Sequence, residues 1–131
     1  MTTHTRTLGY AISEGTSNTA GSTTRGAVDV RGCDAGTVFI KLTNGATGPT
    51  VQATASIMIA DTDSTTPATG AAGADWKTVV SGITAGTANS AVREYAWSFG
   101  PGMATHIQVE VTGNTGQTVT CEALVIENAL S

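Results

Sequence analysis

An alternation of apolar and polar residues with a period of two, in the C-terminal third, constrains the fold more than any other feature. Apolar side chains occupy every second position in two runs, Ile107 to Val111 and Val119 to Val125, on either side of a Gly-Asn-Thr-Gly segment. Successive side chains of a β-strand point to opposite faces, so each run predicts a strand with one buried face. We expect one long β-hairpin from Met103 to Glu127.

The turn chemistry predicts the register of this hairpin. A three-residue loop of Asn114, Thr115 and Gly116 sets apolar residues opposite one another, with Gly116 as the left-handed residue. A two-residue loop would place Val111 against Thr118, on the wrong face. The predicted pairs are Val111 with Val119, Val109 with Cys121, and Ile107 with Ala123.

A second hairpin is predicted between Thr37 and Ala60. Its first strand is Thr37 to Thr43, and the Asn-Gly and Gly-Pro pairs between Asn44 and Pro49 are typical of a turn. Thr50 to Ala60 supplies the return strand. The predicted cross-strand pairs are Leu42 with Val51 and Ile40 with Ala53.

Four further segments with strand character lie at Leu8 to Ile12, Ala27 to Cys33, Trp76 to Val80 and Ala91 to Phe99. Threonine is abundant and there are 16 glycines, which favours strands and turns over helices. About eight strands at regular spacing, with turn residues between them, predict an all-β fold. The architecture that we expect is an antiparallel β-sandwich of jelly-roll type with very little helix.

The domain prediction divides the chain at residue 26. Residues 27–131 form the sandwich, and residues 1–26 form a polar N-terminal arm that contains a possible edge strand at Leu8 to Ile12. Glu14 to Gly26 has no apolar side chain larger than alanine and cannot offset its own ordering entropy. This segment is therefore either a mobile loop or an arm that becomes ordered against a partner.

Composition excludes several classes of protein. The net charge is -4 and the six Lys and Arg residues are scattered, which argues against binding to nucleic acid. No stretch approaches the ~18 apolar residues of a membrane span, and the polar start lacks the apolar run of a secretory signal. We therefore expect a soluble protein with no membrane partner. Cys33 and Cys121 lie in or beside apolar strand patterns, which favours two reduced thiols over a disulfide.

No catalytic or metal site emerges from the polar residues. His4 lies in the polar start and His106 lies on the face opposite Ile107, so we interpret His106 as a surface or rim residue rather than a catalytic base. Asp61 and Asp63 could bind calcium, but the sixth and twelfth positions of an EF-hand loop are occupied by threonine and alanine. A solvated loop is favoured, and no metal or cofactor is predicted.

The aromatic residues leave one alternative open. Tyr95, Trp97 and Phe99 share one face of a predicted strand and are expected in the core. Trp76 follows the long loop from Asp61 to Asp75 and is either a core residue or a ligand contact. The candidate partner or ligand contacts are Tyr10, Asp61, Asp63 and Trp76.

Four segments resemble a group of small β-sandwich proteins of tailed bacteriophages, which are virion structural or head decoration proteins. The segments are Val38 to Gly45, Ile57 to Asp61, Trp76 to Val80, and His106 to Gly116. The resemblance spans roughly Thr37 to Glu127. It implies a non-enzymatic protein that decorates or cements a capsid.

The partners that this resemblance implies are the major capsid protein and further copies of the chain, often around a three-fold axis. It also implies a location in the virion, with assembly in the host cytoplasm, which suits reduced cysteines. Two alternatives remain. One is a tail or neck protein of the virion, and the other is a carbohydrate-binding or receptor-binding module that uses Trp76 and the loop before it. An enzyme is the least favoured function because no nucleophile, base, metal or phosphate loop is evident.

Overall fold

The computed structural model describes residues 4–62 and 65–130, and this part of the chain contains eight β-strands and no helix. The strands are β1 His4–Asn18, β2 Thr23–Asp29, β3 Ala35–Asn44, β4 Thr54–Ala60, β5 Lys77–Ile83, β6 Val92–Phe99, β7 His106–Thr112 and β8 Val119–Leu130. The prediction of an all-β fold with about eight strands is confirmed.

The strands form two four-stranded antiparallel sheets that pack as a sandwich. The first sheet has the order β1-β8-β3-β6 and the second has the order β2-β7-β4-β5. Six of the seven connections between consecutive strands pass from one sheet to the other, and only β4 and β5 are neighbours within a sheet. Two four-stranded sheets of eight strands with these crossovers are the arrangement of a jelly roll.

The core lies between the inner faces of the two sheets. From the first sheet it takes every second residue of β3 and β8, and from the second sheet it takes every second residue of β7 and most of those of β4. The inward residues predicted for β3, β7 and β8 are therefore confirmed. The most deeply buried are Val38, Leu42, Ala55, Ile57, Ile107, Val109, Val119, Ala123 and Val125, each 0% exposed.

Both predicted hairpins are wrong. β7 pairs with β2 and β4, whereas β8 pairs with β1 and β3, so Val111 lies opposite Ala55 and Thr24 rather than opposite Val119. β3 pairs with β6 and β8 and not with β4, and Val51 is half exposed, outside the named strands. Apolar faces that the sequence pattern predicts to lie side by side in a hairpin instead meet across the core, where strands of different sheets satisfy the same pattern.

The N-terminal region belongs to the sandwich. β1 runs along the edge of the first sheet and pairs with β8 from His4 to Asn18, with register shifts between Tyr10 and Ile12 and between Ile12 and Thr16. The predicted boundary at residue 26 falls inside β2. The segment interpreted as a loop or arm is thus mostly strand, since only residues 19–22 connect β1 to β2.

The aromatic residues of β6 and the two cysteines lie in or beside this core. Phe99 is buried, while Tyr95 and Trp97 are half-buried against the core, with the Trp97 and Phe99 ring centroids 6.0 Å apart. Cys33 and Cys121 are free thiols, and burial raises the pKa of the Cys121 thiol to about 11. No helix in the part of the chain that is described could cross a bilayer.

Candidate functional site

Each sheet has an outer face in addition to the face that packs in the core, and the two outer faces differ. On the second sheet, outward-pointing residues of β2, β4 and β7 form a small cluster beneath the β4–β5 loop, which spans residues 61–76. We call this surface the covered face, and its residues are Ala27, Met58, Ala60, His106 and Gln108. Their side chains are buried or partly buried although they point away from the core.

Gln108 fixes the middle of this loop to the sheet. Its Oε1 accepts a hydrogen bond from the Gly70 amide at 2.9 Å, and its Nε2 donates to the Gly70 carbonyl at 2.6 Å. Nε2 also lies 3.0 Å from the sulfur of Met58. A fully buried amide side chain thus provides hydrogen-bond partners for both backbone groups of Gly70. Buried polar groups are generally paired in this way.

Trp76 fixes the end of the same loop. Its side chain is 3% exposed and packs with Met58 and Ala60, while its Nε1 donates a hydrogen bond to the carbonyl of Ala68 at 2.8 Å. Of the two alternatives left by the sequence, the structure favours burial. Because the indole is enclosed beneath its own loop, it presents no face on which a ligand could stack.

His106 is also part of the covered face, so the prediction of a surface or rim position is wrong. It is 1% exposed, and its Nδ1 lies 2.9 Å from Thr105 Oγ1. Its Nε2 lies 3.8 Å from Asp29 Oδ2. Asp29 is paired with Arg31, whose hydrogen bonds lower the pKa of that carboxyl to about 2. The alternation does place His106 on the face opposite Ile107, but that face is covered by the loop at Gly70 and Trp76.

The acidic candidates do not form a site in the described residues. Asp61 and Asp75 are exposed at the two ends of the loop, and Asp63 lies outside the described residues. Within residues 4–62 and 65–130, no group of three or more His, Cys, Asp or Glu side chains could hold a metal ion.

The first sheet has an outer face that no described segment covers. We call it the open face. Its centre is a row across all four strands, in which Tyr10 lies opposite Leu124, Leu124 opposite Phe39, and Phe39 opposite Ala96. The next row begins with Leu8 opposite Ile126. Leu8, Tyr10 and Phe39 are 60%, 48% and 43% exposed, so three large apolar side chains lie in solvent on one surface.

A row of charges borders this apolar centre on one side. Lys41 lies opposite Glu122 of β8 and opposite Glu94 of β6, so a cation is flanked by two carboxylates. Together with Phe39, Ala96 and Leu124, the charged residues line a shallow depression of about 510 Å3. The open face therefore joins an apolar patch, a depression and a charged border.

Of the predicted contacts among the described residues, Tyr10 alone lies on the open face, and Phe39 and Leu124 were not predicted. A signal for both was present. Val38-Phe39-Ile40 and Ala123-Leu124-Val125-Ile126 are uninterrupted apolar runs inside strands whose alternate residues already fill the core. When the residues on both faces of a strand are apolar, the second face is also expected to be shielded from water.

Comparisons with known proteins show the fold. The VP2 subviral particle of infectious bursal disease virus superimposes with a TM-score of 0.55 at 13% identity, over 96% of this chain and 32% of that chain. A cleaved adhesin domain of Lys-gingipain from Porphyromonas gingivalis gives a TM-score of 0.51 at 10% identity, over 92% of this chain and 72% of that chain. The chain therefore spans about a third of VP2, and it has a β-sandwich fold that occurs in a viral particle protein and in a bacterial adhesin domain.

The SPBc2 prophage-derived protein YomS covers 96% of both chains at 16% identity, but its TM-score of 0.47 is too low to support more. No protein-family model matches the chain, and no curated protein matches it in sequence.

Proposed function

We propose that this protein is a non-enzymatic structural component of a bacteriophage virion that works by binding other proteins through its open face. The observation that carries the proposal is the uncovered apolar row of Tyr10, Leu124, Phe39 and Ala96. Outward positions of a sandwich strand are ordinarily polar, and contiguous apolar patches on soluble proteins usually mark interaction sites.

Two further observations support a role in a virion. The jelly-roll sandwich is shared with VP2, which was solved as a subviral particle, and the sequence segments of β3, β4, β5 and β7 resemble small phage β-sandwich proteins. Within a virion we place the chain on the capsid, where it decorates or cements the shell through contacts with the major capsid protein and with further copies of itself. Assembly would take place in the host cytoplasm.

The structure removes the main support for the alternative carbohydrate-binding function. That hypothesis used the Trp76 ring as a stacking platform, and the ring is buried beneath the part of its loop that contains Ala68. A tail or neck position would use the same open face, so it differs from the capsid proposal only in the identity of the partner.

The test is a density-gradient separation of a lysate from cells that produce the protein, with mass spectrometry of each fraction. We expect the chain to migrate with megadalton particles, at an abundance comparable to that of a major capsid protein. Recovery only among small soluble proteins would refute the virion assignment, and co-migration with tails alone would refute the capsid position.

A pair of variants tests whether the open face makes the contact. Phe39→Glu introduces a charge into the centre of the open face, and Val79→Glu introduces the same charge at a 40% exposed apolar residue of β5, on the other sheet. We expect Phe39→Glu to be lost from particles while Val79→Glu keeps its occupancy. Equal occupancy of the two variants would contradict a role for the open face.

A further inference from the structure

We propose that the open face binds the same face of a second copy of this chain, with a two-fold axis that runs along the strands between β8 and β3. This inference rests on the proposed function in treating the open face as an assembly surface, and it names the partner. The order of the strands and the charges beside the apolar row favour a second copy as the occupant.

A two-fold axis in this direction reverses the order of the strands and leaves each row of residues opposite the same row of the other copy. The sheet order β1-β8-β3-β6 is then stacked on β6-β3-β8-β1, so β8 lies over β3 and β1 over β6. Leu124 of one copy meets Phe39 of the other, and Tyr10 meets Ala96. Sheets that pack face to face stay within about 30° of alignment, so residues near the axis keep these partners.

The rotation also fits large residues against small ones. Tyr10 projects from the edge strand β1, and Ala96 of β6 lies in the shallow depression on the opposite side of the face. Each tyrosine ring therefore enters the depression of the other copy. Such a contact is isologous, because the residue that inserts and the residue that receives are exchanged between the two copies.

The charged row selects this axis over the other direction in the plane of the face. With the axis along the strands, Lys41 of each copy faces Glu122 of the other, and both side chains are half-buried already. With the axis across the strands, midway between the rows of Phe39 and Leu8, Lys41 would face Ala35. The cation opposite the acidic row would then be Arg6, at the far end of β1. Covering a charge without a partner is costly, so the arrangement that pairs Lys41 with Glu122 is favoured.

The size of the face sets the expected strength. Four strands ~4.8 Å apart and eight residues at ~3.3 Å each give a flat area of about 500 Å2, without the additional surface of the side chains. Specific interfaces bury roughly 600–1,000 Å2 per partner, so the open face falls just below that range. We therefore expect a weak and reversible dimer.

The experiment is sedimentation equilibrium of the purified full-length chain over a concentration series. The wild type should be a reversible dimer, and Phe39→Thr should raise the dissociation constant at least about tenfold, as truncation of a central aromatic usually does. Val79→Thr is the matched control and should leave the constant unchanged. Circular dichroism of each variant reports whether the sandwich is intact. A wild type that stays monomeric at millimolar concentration would overturn the proposal.

Charge reversal tests the axis. Lys41→Glu and Glu122→Lys should each weaken the dimer about tenfold or more, because each sets like charges opposite each other, and the double variant should regain most of the affinity. Arg6→Glu should change the dissociation constant less than about threefold, because an exposed charge at the periphery contributes little. Loss of the dimer with Arg6→Glu but not with Lys41→Glu would overturn this arrangement.

The two proposals fail separately. A dimer that never appears in particle fractions would refute the virion assignment and leave the interface standing. A chain that migrates with particles but is monomeric when purified at every concentration would refute the dimer and leave the virion assignment standing.

Discussion

The two outer faces of this sandwich start from the same pattern and end in different states. Both are formed by the outward residues of four strands, yet the β4–β5 loop covers the second sheet around Gly70 and Trp76, and no described segment covers the first sheet. The covered face contains buried polar side chains, His106 and Gln108, whereas the open face contains exposed apolar ones, Leu8, Tyr10 and Phe39. Exposure of an outward residue is therefore set by what lies over it rather than by its polarity.

The largest expected difference between the faces concerns their aromatic residues. Trp76→Ala should lower the free energy of unfolding by about 3–5 kcal/mol, because it leaves a cavity under the loop and removes the hydrogen bond to Ala68. Phe39→Thr on the open face should cost less than about 1 kcal/mol, since the ring is 43% exposed. Urea denaturation at low protein concentration measures both values. Equal losses would show that the open face contributes to stability as the covered face does.

A smaller effect is expected from the amide that attaches the loop. Gln108→Ala leaves both backbone groups of Gly70 without their partner and should cost about 2 kcal/mol. The same change should accelerate hydrogen exchange at the Gly70 amide. Gln117→Ala, at an exposed position, serves as the control and should change neither quantity. Unaltered exchange at Gly70 in the Gln108 variant would mean that the loop is held by other contacts.

The smallest effects are expected at two carboxyls, Asp29 beside the covered face and Glu127 of β8 in the first sheet. Arg31 lowers the folded pKa of Asp29 to about 2, below its usual 3.8, so Asp29 stabilises the fold above pH 4 and this contribution is lost as the pH falls towards 2. Because Asp29 is about half exposed, Asp29→Asn should cost under about 1 kcal/mol at pH 7 and nothing near pH 2.

Glu127 should show the opposite sign. Burial, and then the charge of Asp29, raises the pKa of Glu127, so the wild type loses stability as the pH rises through that value. Glu127→Gln should therefore be slightly more stable than the wild type at pH 7. Urea midpoints from pH 2 to pH 7 test both carboxyls, and pH profiles that parallel the wild type would contradict the assignment.

Much of the fold was predictable from the sequence, because side-chain alternation reports directly on which face of a strand is buried. The strand count, the inward residues of β3, β7 and β8, and the jelly-roll class all followed from that period. Strand pairing did not follow. The same alternation is satisfied whether Val111 and Val119 lie opposite each other in one sheet or lie in two different sheets that meet at the core. The turn residues from Asn114 to Gly116 fit either arrangement.

The candidate site was predicted less well than the fold. Tyr10 was predicted, but Phe39 and Leu124 were not. For Trp76 the sequence left open whether it is a core residue or a ligand contact, and the structure shows it buried beneath its loop. Asp61 is exposed as expected for a solvated loop. The fold class follows from local patterns, whereas the site depends on contacts between residues that are distant in sequence. Exposure of an outward side chain depends on segments far away in the chain, such as the segment around Gly70 over Gln108.

The sequence by itself determined that this protein is a β-sandwich and which side chains point inwards, since a period of two is a local property of each strand. Only the tertiary structure decided which strands are neighbours, which outer face is covered and which is open. Those outcomes depend on contacts between residues that are distant in sequence, for example between Gly70 and Gln108 or across the row from Tyr10 to Ala96. No local pattern carries that information, because many long-range pairings satisfy the same alternation.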